Sequence, residues 1–460
     1  MKTMIKYIIH NIKMNKAKEL FDKILVDGQK IDLQALDANH GVYAAGSKKT
    51  LKVDFVLKKK DEIPAKIFSG LSSLKTVKVP ETVKTIGDEA FANTSLSYIN
   101  LPKDIEIGKD VFKNVENLPE EVIENITYNN PYALYDSIAD INDLDLENSI
   151  SKNILIESSE VANVYGTNKP YFKNVVIKDA EVNSTISVKA LENITFDGIT
   201  GSGDKGATNG KITFTSYSLN IKNVTVGEET TIYNLFEGSQ VLNDSNYHGI
   251  SNINVENVNI DCPALTHNII NVYTPANDAN IVIKDSTFNL NVNNSNILRM
   301  ANYMNSENVT ITFDNVEWNY EDAAKVNENS DWKWAGLMIF QPASQDVSLT
   351  GDYSKLATWT INFNNCKYNG QAITGMNAGE HNQLLYFYNL NGDKKCVNPL
   401  QVIEGITINV NGKKLQPETQ EQQEETQGEQ ESQEQEPQEN QTVNGEVTSE
   451  DGGDTQIYNG

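Results

Sequence analysis

Residues 308–320 read NVTITFDNVEWNY. From Val309 to Phe313 apolar and polar residues alternate as on a half-buried strand, and the alternation resumes from Val316 to Trp318. Asp314 and Asn315 stand between the two halves, although Asp and Asn usually end strands. The same interruption recurs in NIKNVTV (220–226), NVENVNI (254–260) and VIKDSTF (282–288).

The shared pattern is apolar–x–(Asn/Asp)–x–x–apolar. It occurs seven times, at 177–182, 191–196, 221–226, 255–260, 283–288, 313–318 and 363–368. Successive starts lie 14, 30, 34, 28, 30 and 50 residues apart, mostly far longer than the ~8–12 residues of an antiparallel sandwich. Asn and Asp tolerate the left-handed backbone that a sharp bend needs. A bend at the same place in each repeat stacks Asn193, Asn223, Asn257, Asp285, Asn315 and Asn365 into a ladder, with the flanking apolar residues turned inward. The expected fold is mainly β, a right-handed parallel β-helix over 151–415 closed by the strand sequence EGITINVNGKKL (404–415). The intervening stretches 198–211, 238–249 and 320–359 read as excursions from that helix, where such folds carry their individuality.

A second repeat precedes the first. Phe68, Phe91 and Phe112, then Leu74, Leu96 and Leu118, then Pro80 and Pro102, recur at intervals of 21 to 23 residues. A period in the low twenties is that of a leucine-rich solenoid. The residues that carry it, including LKTVKVPETVKTIGDEAF (74–91), resemble the bacterial surface-antigen type of leucine-rich repeat. That resemblance covers 61–119 and implies binding or spacing.

The ends differ in charge. Residues 1–60 hold 13 lysines against six acidic residues, and read as a basic cap or attachment segment with a short helix near 16–25. Residues 120–150 read as a junction; DINDLDLEN (140–148) lacks the glycine and terminal glutamate of a calcium loop. Residues 416–460 are rich in Glu and Gln and too poor in apolar residues to fold, so a disordered acidic tail is expected. The net charge of −25 and a single arginine, Arg299, argue against nucleic acid, whose affinity rests on cations facing phosphates. No stretch approaches the ~20 apolar residues of a membrane span. Lys2, Lys6, His10 and Lys13 interrupt the apolar start, so no secretory signal is expected. Cys262, Cys366 and Cys396 form no CxxC pair, and no zinc or other metal site and no cofactor is expected.

Enzymes on β-helices cut or eliminate polysaccharides, and their pectin-cleaving members carry paired Asp, GHG and RxK motifs; none occurs here. No nucleophile elbow or phosphate-cradling loop is present either. No catalytic residue is therefore assigned, and a binding role is expected over catalysis. Aromatic side chains are the remaining signal. Trp318 falls on an inward position, whereas Trp332 and Trp334 alternate around a lysine and are the ligand-contact candidates, against simple packing of their insertion.

The segment 267–322, continued by WKWAGLMIF (332–340) and WTINFNNCKYNG (359–370), resembles a β-helix protein type of tailed phages that infect gut bacteria. The resemblance implies a virion structural protein, a head or tail appendage made in the host cytoplasm. Its partners would be other virion proteins and host-surface polysaccharide or protein, with homo-oligomers allowed. Two alternatives stand beside it: a bacterial surface adhesin, and a polysaccharide depolymerase.

Overall fold

The computed structural model describes residues 21–26, 29–31, 53–57, 61–138 except 72–73 and 117, 152–157, 172–182, 186–201, 210–227, 232–238, 249–262, 268–272, 275–290, 296–301, 306–320, 336–341, 355–375, 385–388, 396–397 and 399–417. The chain divides at Leu415, and the acidic segment beyond it lies almost wholly outside the described residues.

The described structure is mainly β. Near the amino end, Phe21–Val26 lies between Gln29–Ile31 and Val53–Leu57 in a three-stranded antiparallel sheet. The helix expected near 16–25 therefore does not extend over Phe21–Leu25. Backbone pairing with VDFVL sets Ile24 in register with Phe55, and this antiparallel ladder takes the place of the expected helical turn.

The leucine-rich segment stacks in parallel. Glu62–Ile63, Thr85–Ile86 and Glu106–Ile107 form one three-stranded sheet, and Thr76–Lys78 pairs with Tyr98–Asn100. The recurrent phenylalanines stack inside it: Phe68 on Phe91 with centroids 5.1 Å apart, and Phe91 on Phe112 at 5.9 Å. The residues that follow hold a helix, Glu120–Asn129, within the stretch read only as a junction. Pro119 precedes it, and Glu120 and Glu121 complement the positive end of its dipole. Val122 and Ile126, one helical turn apart, are buried against the last leucine-rich repeat. Asn129 Oδ1 accepts from the Ile105 amide at 3.1 Å, and Asn130 Nδ2 donates to the Ile107 carbonyl at 3.1 Å. These bonds satisfy backbone groups of the strand Glu106–Ile107 and its neighbour Ile105.

A longer parallel ladder begins at Asp136–Ile138. Its successive rungs are Asn153–Glu157, Phe172–Lys178, Ile186–Asp197, Ser218–Val226, Ile250–Cys262, Pro275–Leu290, Thr310–Tyr320, Thr360–Asn364 and Thr407–Val410. A second parallel series runs from the start of Ile186–Asp197 through Gly210–Thr215, Ile232–Gly238, Asn268–Val272, Asn296–Ala301, Gly336–Gln341 and Leu385–Tyr388. Parallel pairing requires each connection to cross over before the next rung, which is why the sequence repeat is long.

Register holds the core together. Ile154, Val175, Ile194, Leu219, Ile253, Ile281, Ile311, Ile361 and Ile408 form one aligned row. Two residues further along each rung, Ile283, Phe313 and Phe363 continue a second row, with the two phenyl rings stacked nearly parallel, centroids 5.3 Å apart. Both rows are fully buried, and each large side chain contributes about 1.5–3 kcal/mol of burial. Past the bend, Val226, Ile260, Phe288, Trp318 and Tyr368 form a third row. Among the described residues, Thr195, Thr215, Ser216, Ser286 and Ser306 bury hydroxyls in this ladder. Ser286 Oγ donates to the Lys284 carbonyl at 2.6 Å and accepts from the Val258 amide at 3.1 Å, so it costs little.

Among the described residues, antiparallel pairing within this ladder is confined to its carboxyl end. Lys367–Tyr368 pairs with Gln371–Ala372, Leu385–Tyr388 with Cys396–Val397, and Thr407–Val410 with Lys413–Lys414.

Candidate binding surface

The bends generate the ladder's most regular feature. Asp179, Asn223, Asn257, Asp285, Asn315, Asn365 and Asn411 all have φ between 49° and 54°. Their side chains connect successive rungs. Asn257 Nδ2 donates to Asn223 Oδ1 at 2.7 Å, Asn315 Nδ2 to Asp285 Oδ1 at 2.8 Å, and Asn365 Nδ2 to Asn315 Oδ1 at 3.2 Å. The Asn365 amide then donates to Asn411 Oδ1 at 2.7 Å.

Asn193 is not in this series, contrary to the expectation from its hexapeptide. Ile194 and Phe196 are the inward residues of that rung, while Leu191 is 37% exposed. The bend therefore falls at Gly198, with φ of 74°. Glycine suits it at that φ, and a Cβ there would lie 2.4 Å from Asp179 Oδ1, so that side chain would have to swing aside. The excursion read from 198 begins, in turn, as the second half of that rung, with Ile199 buried. Asn193 joins a different row, donating to Asn174 Oδ1 at 2.6 Å, and Asn174 donates to Asn153 Oδ1 at 2.9 Å. With no side chain at Gly198, Asn223 donates instead to Asp197 Oδ1 at 2.6 Å.

Outward positions of the same rungs are also aligned. One row holds Ser218, Asn252, Asn280, Thr310, Thr360 and Thr407; the next holds Asn220, Asn254, Val282, Thr312, Asn362 and Asn409. Eleven of these twelve positions carry an amide or hydroxyl, and none is charged. Asn254 Nδ2 donates to Asn220 Oδ1 at 3.0 Å, Asn362 Nδ2 to Thr312 Oγ1 at 3.3 Å, and Asn409 Nδ2 to Asn362 Oδ1 at 2.8 Å. The following row alternates in sign, with Asp197, Lys222, Glu256, Lys284 and Asp314 in register. Lys284 meets Glu256 at 3.0 Å.

The titratable side chains gather where the two stacks meet. A cleft of about 210 Å³ is lined by Asp88, Lys109, Asp110, Tyr132, Ser137, Glu157 and Lys178, among others. Glu157 receives both Lys109 and Lys178, Asp110 Oδ1 accepts from the Ser137 amide at 2.7 Å, and Lys178 reaches Asp179 at 2.9 Å. Tyr132 donates to Asp197 Oδ2 at 2.5 Å. Burial, reinforced by that carboxylate, holds the Tyr132 phenol well above its ordinary value, so it stays a donor. Burial also raises the Asp136 carboxyl, against the pull of Lys113 and Lys152. The principal charges around the cleft are engaged with one another.

Trp332 and Trp334, and most of the excursions 238–249 and 320–359, lie outside the described residues. Among the described residues no group of His, Cys, Asp and Glu is placed to hold a metal ion, and no helix is long and apolar enough to cross a membrane. Cys366 is buried in the core, and burial pushes its thiol up to about 11, far from a reactive thiolate. Sequence reasoning missed the outward Asn/Thr rows. Their signal was present as polar residues alternating with the inward ones in every rung.

Residues 48–161 match the family described as BspA type leucine rich repeat region, in six copies. That span reaches beyond the segment 61–119 read from periodicity, through the helix and into the strand Asn153–Glu157. No curated protein and no solved structure matches the chain.

Proposed function

We propose that the chain is a non-catalytic, adhesin-like surface-binding protein. In this reading the leucine-rich repeats run into a right-handed parallel β-helix, the handedness being that of nearly all parallel crossovers. The observation that carries it is the continuity of register. Parallel rungs follow one another from Asp136–Ile138 to Thr407–Val410, and Tyr132, Asp110 and Lys109 tie the leucine-rich end to that ladder. Repeats of this kind give a stiff, extended surface with many equivalent outward positions, suited to display and multivalent contact rather than to enclosing one small substrate.

The location is proposed as a surface, either a bacterial cell or a phage particle. The resemblance of 267–322 to phage β-helix proteins favours the particle, with the lysine-rich residues 1–60 docking on an acidic virion face and other virion proteins as partners. Mass spectrometry of purified particles separates the two settings. Binding itself is tested by incubating the purified full chain with intact gut bacteria and measuring sedimentation with the cells. Release of reducing ends from capsular polysaccharide would replace this reading with a depolymerase.

A further inference from the structure

We propose that the outward Asn/Thr face is a binding site for an uncharged linear polysaccharide lying across the rungs. The inference rests on the surface-binding reading above and names both the ligand class and the residues.

Charge is the first argument. The chain carries a net charge of −25, yet the two rows from Ser218 to Thr407 and from Asn220 to Asn409 contain no ionised group. The neighbouring charged row alternates in sign and pairs internally, as Lys284 does with Glu256. This face therefore offers nothing to phosphates or to anionic lipid headgroups, both of which need clustered cations. It also lacks the buried aromatic and arginine anchors on which protein partners depend, Val282 being its single apolar position.

Geometry is the second. Adjacent rungs repeat about every 4.7–4.9 Å, and the two rows stand two residues apart on each strand. Asn252, Asn254 and Asn280 are exposed to solvent. An asparagine amide has two N–H donors and a carbonyl with two lone pairs. Asn254 and Asn362 each spend one donor along the row, which fixes the plane of the amide. Asn254 keeps a second donor and its carbonyl for an outside partner, and the half-buried Asn362, whose carbonyl accepts from Asn409, keeps a second donor and one lone pair. Fixed donor–acceptor pairs at a short, constant repeat match a chain of sugar rings, each presenting hydroxyl groups that donate and accept. Each contact exchanges hydrogen bonds with water and is weak, so affinity must accumulate along the polymer.

The test uses the full chain in affinity electrophoresis through gels containing soluble glucan, mannan, galactan or arabinoxylan, with polygalacturonate as the acidic comparison. Retardation by at least one neutral polymer, growing with polymer length, is expected. Asn254→Asp combined with Asn362→Asp should weaken it at least ten-fold, because the added charges must be desolvated against a neutral ligand. Thr310→Val with Thr312→Val and Thr360→Val keeps shape and strand preference while removing hydroxyls, and should weaken it as well. Unchanged melting curves establish that the variants are folded. Retardation by polygalacturonate alone, or full retention of binding by both folded variants, overturns the proposal. If the protein sediments with cells while no neutral polymer retards it, the face assignment fails and the surface-binding reading survives. Absence of any cell binding removes both.

Discussion

Tyr132 donates its phenolic hydrogen to the carboxylate of Asp197, 65 residues further along the chain, at 2.5 Å. Tyr132 follows the helix Glu120–Asn129, inside the span that matches the leucine-rich repeat family, and Asp197 ends a rung of the long ladder. Asp197 uses its other oxygen to accept from Asn223, so one carboxylate ties the junction to two successive rungs. Tyr132→Phe removes only the hydroxyl. A hydrogen bond to a charged, half-buried acceptor contributes about 1.5–3 kcal/mol, and partial hydration of Asp197 would return some of that. A loss of about 1–2 kcal/mol is expected in denaturant unfolding, with trypsin cleavage between the two stacks appearing at lower enzyme concentration.

The same phenol sets an alkaline limit. Its folded pKa lies above the ordinary value of 10.0, so above pH 10 the unfolded chain releases a proton that the folded chain retains. Stability from this group is complete below pH 10 and falls as the pH rises beyond it. Melting temperature measured from pH 9 to 11.5 should decline, and the Tyr132→Phe protein should decline less steeply. Equal slopes would show that the junction phenol is not responsible.

Burial rather than charge governs the ladder's centre. Phe313 is fully buried and stacks on Phe363 across one rung boundary. Phe313→Ala removes a ring from a row with little freedom to collapse, because the rungs above and below are fixed by their backbone pairing. A cost of about 3–5 kcal/mol is expected from chemical denaturation.

Much of this interior was legible in the sequence, because its signal is local. A hexapeptide with apolar ends and Asn or Asp in its third place fixes both the inward rows and the bends at 223, 257, 285, 315 and 365. The error at Asn193 has the same origin. LENITFDG offers two equally spaced places for a bend, and only the burial of Ile194 and Phe196 chooses between them. The helix Glu120–Asn129 was missed because Val122, Ile123, Ile126 and Thr127 are β-branched, although Pro119, the paired glutamates and the four-residue spacing of Val122 and Ile126 signal it. The second parallel series lay hidden because its strands are short and separated by stretches of unequal length. The Tyr132–Asp197 contact depends on a fold-level juxtaposition that no local pattern records.

The bends themselves discriminate sharply among substitutions. Asn257 holds φ at 54° and donates to Asn223, so it serves both backbone and side chain. Asn257→Gly keeps the backbone relaxed and loses only an exposed hydrogen bond; a change of about 1 kcal/mol or less is expected. Asn257→Val places a branched Cβ in the left-handed region as well, and about 2–3 kcal/mol of destabilisation is expected. The ratio of the two effects is the measurement, since both variants remove the same amide. Equal losses would mean that the side-chain ladder, not the left-handed backbone, is what the position requires.

The carboxyl end of the ladder makes the last prediction. Thr407–Val410 is the final parallel rung, and Lys413–Lys414 covers it in a short antiparallel hairpin turned by Asn411 and Gly412, both with positive φ. An uncovered rung would present a row of free backbone donors and acceptors beside an apolar interior, a template for adding strands from another molecule. Lys413 and Lys414 are exposed, and their charges make that added pairing unfavourable. Lys413→Val with Lys414→Val preserves, and by propensity strengthens, the hairpin while removing the charge. The melting temperature of dilute protein should be unchanged or slightly higher. Sedimentation velocity over a hundred-fold concentration range should instead reveal more dimers and larger species than the original sequence gives under the same conditions. A monomeric double variant at the highest concentration would show that the hairpin's backbone, rather than its lysines, protects this edge.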